Sequence, residues 1–308
     1  MKSAIVTGCT GIVGKALIQE LISNDIEVLA ILRNKEYAIQ LEAFGVKTIL
    51  CTLDELDNIN SKDEYDVFYH LAWDGTRGPS RLDENRQKKN VEYTMSAIRL
   101  AKRLGCKKFV GVGSQAEYGQ VPKNTKLSWN LPTYPESPYG RYKLEACNKG
   151  KNACKKLGMD FCWGRIVSTY GPNDDGNTLI MSCIRDFYAG KSCDMTPCTQ
   201  IWDYIYIGDV ANAFRLIGES GKNGSIYVIG SGYTRQLKEY VNDIYKIVGN
   251  NTAKCNFGAK DFYKDQSMFL CADISNLTED TGFLPNTDFE IGIKKTVQWY
   301  SEYLGKEE

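Results

Sequence analysis

The chain opens on a run that leaves few folds open to it. "SAIVTG" is a short apolar strand, "TGCTGIVG" sets Gly8, Gly11 and Gly14 three residues apart, and "GKALIQELISND" has the apolar spacing of an amphipathic helix. A turn without side chains between a buried strand and a helix N-terminus lets backbone N–H groups and the positive end of the helix dipole approach a diphosphate. Gly8, Thr10, Gly11, Ile12 and Gly14 are therefore read as the phosphate-facing turn of a dinucleotide site.

The pattern then repeats. "EVLAILRN", "KTILCTL", "YDVFYHLAW", "KKFVGVGS" and "DFCWGRIVSTYGP" read as buried strands, alternating with helical stretches such as "NVEYTMSAIRLAKRLG". Continuous apolar strands separated by helices specify an α/β architecture, a Rossmann-type doubly wound parallel sheet. The alternation loosens after "STYGP". We expect a dinucleotide-binding domain over 1–171, to which 205–231 returns, and a smaller C-terminal, mainly substrate-binding domain over 172–308.

Composition narrows the chemistry. The 308 residues carry 38 basic and 38 acidic side chains, with a pI near neutrality, so no electrostatic footprint calls for nucleic acid or an anionic membrane. No apolar run approaches the roughly 18 residues of a membrane span, and the start lacks the features of a secretory signal. A cytoplasmic protein is expected. Eleven cysteines, an odd number scattered through apolar segments without a C-x-x-C, read as buried reduced thiols, and the single histidine is His70. A Cys/His metal site and a Ser-His-Asp triad are disfavoured, and no metal is expected.

Two features carry reactive chemistry. In "SPYGRYKLEA", Tyr139 and Lys143 stand four apart at the start of a helix, on one face, where an ammonium could favour the phenolate and the pair could exchange a proton with a carbinol oxygen. On spacing alone a surface tyrosine with a solvated lysine is the commoner reading, and context has to decide. The second strand ends in "LRN". A carboxylate there would suit ribose hydroxyls, whereas the Arg33 guanidinium, next to Asn34, suits a 2′-phosphate and favours NADP(H), with NAD(H) the alternative.

With "TGCTGIVG", Arg33, "HLAW", "NVEYT", "GSQAEYG", "SPYGRYK", "GRIVSTYGP" and "WDYIYIGDVA" in this order, the chain resembles the extended short-chain dehydrogenase/reductase family, specifically its nucleotide-sugar epimerases, dehydratases and reductases. The resemblance implies that Tyr139 is the acid or base at a sugar carbinol. Lys143 would hold the nicotinamide ribose while lowering the tyrosine pKa, and Ser114 would hydrogen-bond the same sugar oxygen. Leu53, Leu71, Ala72 and Trp73 would line the cofactor, and His70 would be structural. It also implies a nucleotide-sugar substrate and a homodimer.

Where family dehydratases carry an Asp-Glu pair, this chain has Gln115 and Ala116, which cannot serve as acid and base for eliminating water. Two reactions remain: reduction of a 4-keto (6-deoxy) sugar nucleotide by NADPH, which Arg33 favours, and 4-epimerisation with retained NAD. A non-catalytic dinucleotide sensor is a third possibility. On the substrate side the expected contacts are Ser114, Gln115, Tyr139, Ser168, Trp202 and Lys264. Trp202 and Ser168 replace the family's arginine and asparagine, and Lys264 stands in as the diphosphate cation, with Arg77, Arg81 or Arg185 as substitutes.

Overall fold

The computed structural model describes residues 1–249, 252–263 and 266–304. Five strands alternate with helices through the first part of the chain: β1 (Ser3–Thr7), β2 (Glu27–Leu32), β3 (Lys47–Leu50), β4 (Val67–His70) and β5 (Lys108–Ser114). They are joined by α1 (Ile12–Ser23), α2 (Lys35–Glu42) and α3 (Glu84–Arg103), and α4 (Pro138–Leu157) leads into β6 (Asp160–Ile166). All lie in one seven-stranded sheet. Its seventh member, β11 (Ser225–Ile229), pairs with β6 after the short strands β7 (Ser168–Tyr170), β8 (Cys193–Met195), β9 (Ile201–Trp202) and β10 (Tyr204–Tyr206).

Every ladder in the sheet is parallel, in the order β11-β6-β5-β4-β1-β2-β3. Apart from the edge strand β3, the strands are largely buried on both faces, which is why their sequences run apolar rather than alternating. α1 packs beside α6 (Ile207–Ser220) on one face, and α3 packs beside α4 on the other. The chain order reverses between β1 and β4. That reversal opens a crevice at the carboxyl ends of the strands, where α/β sheets bind their ligands.

The stretch read as one strand, "DFCWGRIVSTYGP", is two. At Val167 the backbone N–H reaches the carbonyl of Ile229, and beyond it the chain leaves the sheet to pair β7 with β10. The remaining elements are α5 (Leu179–Tyr188), β12 (Arg235–Gln236), α7 (Leu237–Val248), β13 (Cys255–Phe257), α8 (Ser275–Thr281) and α9 (Phe289–Leu304). α5, α7 and α9 enclose a separate apolar cluster with an aromatic centre: Tyr240 lies 5.1 Å from Tyr204 and 4.6 Å from Phe289, ring centroid to ring centroid. The eleven cysteines are free thiols, nine of them buried, and burial pushes the pKa of each one up.

Candidate active site

The glycine turn does two different jobs. At Gly8 (φ +78°) a Cβ would lie 2.6 Å from the Ala72 nitrogen, and at Gly14 it would lie 2.1 Å from the Gly8 carbonyl oxygen, so the turn's own packing excludes side chains there. Gly11 is different. Its nearest atom would be an ordinary 3.5 Å away, and it is exposed at the N-cap of α1. That helix start has no capping side chain and no acidic residue in its first turn, which leaves its N–H groups and dipole open to an anion. The residues fit a dinucleotide diphosphate.

A cleft of about 770 Å³ runs from this turn along the strand ends. Its walls include Gly8, Thr10, Gly11, Ile12, Gly14, Arg33, Leu53, Leu71 and Ala72. Ser114, Tyr139 and Lys143 line the same cleft, with Trp73 against Tyr139 and Lys143. Arg33 is exposed at the end of β2 with no acidic partner among the described residues. Asn34 is turned to another use: it caps α2, its side chain accepting from the Tyr37 N–H at 2.9 Å. Leu53 begins a single 3₁₀ turn, Leu53–Asn58.

Tyr139 and Lys143 both fall in the first turns of α4, started by Pro138 and capped by Ser137, whose hydroxyl accepts from the Gly140 N–H at 3.1 Å. Both side chains are buried, so the surface alternative is gone. Ser114 ends β5 on the same cleft wall as the phenol, its hydroxyl accepting from the Ala116 N–H at 3.2 Å.

The electrostatics differ from expectation. Lys143 Nζ donates to the Val112 carbonyl at 2.7 Å and sits 3.8 Å over the Trp73 ring, but 5.9 Å from the Tyr139 ring centroid. Burial pushes the Tyr139 pKa up, and the largest opposing influences are the Arg81 guanidinium and the Ser114 hydrogen bond. Burial also pulls the Lys143 ammonium down, partly offset by Glu117.

Behind the site stands a fully buried ion pair. Glu117 accepts from Arg165 Nε at 2.7 Å, from Trp163 Nε1 at 3.0 Å and from the Ser114 N–H at 2.8 Å, fixing the turn that carries Ser114. His70 is sealed in the sheet, its Nδ1 within 2.9 Å of the Thr7 hydroxyl, and burial lowers its pKa to about 3. It is a neutral structural residue.

The substrate-side expectations fare differently. Gln115, Ser168 and Trp202 lie outside the cleft walls; Trp202 Nε1 donates to Ser168 Oγ at 2.8 Å, so the two departures from the family pattern satisfy each other. Lys264 lies outside the described residues. Arg185 is engaged by Asp186 and the Gly176 carbonyl. Arg77 pairs with Asp174 and Asp175 at 2.9 Å each, and Lys15 donates to Asn173 at 3.0 Å, so two links join the walls of the cleft. Arg81 stacks 4.3 Å over the Tyr139 ring centroid.

What holds Arg77 and Arg81 in place was not anticipated. Gln87 accepts from Trp73 Nε1 at 2.7 Å and donates to the Gly75 and Ser80 carbonyls, while Asn90 clamps both backbone groups of Asp74. The signal was present as a buried polar stripe, Gln87, Asn90 and Thr94, at helical spacing along α3.

A parallel doubly wound sheet, a bare glycine turn and a Ser/Tyr/Lys set at the strand ends define a dinucleotide-dependent enzyme of the Rossmann class. More particularly, the NAD dependent epimerase/dehydratase family matches residues 4–230, and the chain belongs to it. Among curated proteins it is 24% identical to the dTDP-glucose 4,6-dehydratase of Escherichia coli, over 96% of this chain and 92% of that one. A UDP-glucose 4-epimerase structure from Thermotoga maritima superposes with a TM-score of 0.87 at 20% identity, covering 98% of this chain and 99% of the other. The structure of RMD from Pseudomonas aeruginosa, complexed with NADPH, gives 0.82 at 19%, covering 98% and 100%. At these identities the superpositions establish the fold. Among the described residues no helix is long and apolar enough to cross a membrane, and no cluster of His, Cys, Asp and Glu could hold a metal ion.

Proposed function

We propose that the chain is an NADP(H)-dependent reductase of a nucleotide-activated 4-keto (6-deoxy) sugar. The observation that carries the reading is Arg33, an unpaired guanidinium on the wall of the cofactor cleft at the position that meets the adenosine ribose. The Tyr139 phenol adds support. Held above its ordinary pKa, it is protonated at neutral pH and suited to give a proton, as reduction of a ketone requires, rather than to take one first.

A reduced nicotinamide held in the cleft would supply a hydride for the carbonyl carbon. As charge builds on the sugar oxygen, Ser114 hydrogen-bonds it and Tyr139 protonates it, leaving a secondary alcohol. Lys143 holds the cofactor ribose. Gln115 and Ala116 offer no acid or base for dehydration, so the dehydratase activity of the Escherichia coli relative does not carry over.

One observation favours a second reading, a 4-epimerase that retains NAD: the Lys15–Asn173 and Arg77–Asp174/Asp175 links join the walls of the cleft and would slow cofactor exchange. The experiment is to identify the cofactor that copurifies with the protein and assay a panel of nucleotide sugars. Exchangeable NADPH consumed with a 4-keto sugar supports the reductase. Tightly held NAD with interconversion of C4 epimers replaces it with the epimerase.

A further inference from the structure

Where the family pattern offers an arginine to the substrate, this chain has Trp202, and Trp202 is spent on Ser168. A nucleotide sugar still brings a diphosphate, and that charge needs a cation. The obvious candidates are engaged. Arg77 and Arg235 each meet two carboxylates, and Arg185 is held by Asp186 and the Gly176 carbonyl.

Arg81 is different. It sits half-buried in the short 3₁₀ segment Gly78–Leu82, with neither an acidic partner nor a hydrogen-bond acceptor among the described residues. Its guanidinium carbon lies 4.3 Å from the centroid of the Tyr139 ring. A guanidinium over an aromatic face is held by its charge, so that contact spends none of its five N–H donors. The chain is tied down on both sides of it. Gln87, fully buried on α3, donates to the Gly75 and Ser80 carbonyls at 2.7 and 2.9 Å, and Asp83 caps α3 by accepting from the Arg86 N–H at 3.1 Å. Arg81 is not one of the walls of the cofactor cleft, whereas the ring beneath it is, so the anion that suits Arg81 comes with the substrate rather than with the dinucleotide.

We propose that Arg81 anchors the diphosphate of the substrate, its N–H edge taking phosphate oxygens while its face stays on the Tyr139 ring. This rests on the nucleotide-sugar reading of the site and deepens it. A guanidinium fork meets phosphate oxygens two at a time, which a lysine ammonium does not. One side chain then touches both the charged end of the substrate and the ring that handles the proton, so binding the phosphates also sets where the sugar lies over Tyr139. The same cation makes good the arginine lost at Trp202.

The test titrates the protein, saturated with NADPH or with NAD, whichever it takes, with UDP, dTDP, GDP and CDP by calorimetry, and follows the one that binds most tightly. Arg81→Met weakens that nucleoside diphosphate by about 10- to 100-fold, the worth of a charge-assisted hydrogen bond, and leaves dinucleotide affinity and the unfolding midpoint in place. Arg81→Lys recovers part of the loss, and Arg185→Met causes none. Unchanged nucleoside diphosphate affinity in Arg81→Met, an equal loss for the dinucleotide, or a larger loss in Lys264→Met overturns the proposal. Should Arg81→Met fail to fold, Arg81→Gln carries the same comparison. Binding of none of the four overturns the proposal together with the nucleotide-sugar reading. A chain that binds one of them through Arg81 but reduces no keto sugar loses the reductase reading and keeps this one; reduction of a keto sugar with binding indifferent to Arg81 does the reverse.

Discussion

The two ends of the cleft recognise their ligands by different means. At the end read as the cofactor's, an uncapped helix start offers backbone N–H donors and two of the three glycines have no room for a side chain. On the side where the family pattern would put substrate contacts, recognition would fall to side chains, and there the chain departs from that pattern: Trp202 and Ser168, outside the cleft walls, hydrogen-bond each other at 2.8 Å where an arginine and an asparagine are expected. Backbone recognition is constrained by the fold and changes little when a substrate changes. Side-chain recognition can be rebuilt in place. The contrast teaches that this chain's cofactor class is anchored in its architecture, whereas its sugar is selected by contacts of its own.

The strongest way to break that comparison is at the junction of the two ends. Tyr139→Phe should lower kcat by about 10²- to 10⁴-fold, the usual worth of a positioned acid, with dinucleotide affinity unchanged by calorimetry. A similar loss of affinity would make Tyr139 a binding residue. Next come two glycines of the same turn. Gly14→Ala drives a methyl group toward a backbone oxygen and should cost about 2 kcal/mol or more of stability in chemical denaturation. Gly11→Ala meets only an ordinary contact and should leave the unfolding midpoint in place while weakening dinucleotide binding about tenfold or more. Equal effects on stability would erase the division of labour between them.

Arg33→Ala should weaken NADPH binding by about 10- to 100-fold with little change for NADH, from the loss of a charge-assisted hydrogen bond. Parallel losses for both would remove Arg33 from the argument for the phosphorylated cofactor. The smallest effect belongs to the substrate end. Trp202→Phe removes one hydrogen bond and should cost about 1 kcal/mol of stability, leaving cofactor affinity intact. A large fall in substrate affinity with unchanged stability would restore Trp202 as a substrate contact.

What could be read from the sequence follows the same divide. The parallel sheet and the glycine turn were legible because each rests on local rules, apolar runs between helices and a turn that tolerates no Cβ. The grouping of Ser114, Tyr139 and Lys143 at one end of the cleft came from the resemblance, and the structure brings them together. The electrostatic partners were not legible. Arg81 reaches Tyr139 through a loop whose path depends on Gln87 and Asn90; their spacing along α3 marks a polar stripe but not the loop it holds. The hydrogen bond of Lys143 to the Val112 carbonyl was likewise beyond the sequence: sharing a helix face with Tyr139 fixes the direction of the stem, not the partner of the ammonium at its end.

The free thiols make the molecule its own reporter of opening. Each sulfur is kept in its sluggish protonated form, and nine are shielded from reagent, so alkylation of the native protein should proceed only as fast as the segment around each cysteine opens. Cys9 lies under the glycine turn, Cys147 on α4 and Cys183 in the C-terminal cluster. Mass-resolved labelling rates at these three positions would rank how readily the cofactor end, the helix of the reactive pair and the distal lobe come apart, with no probe introduced.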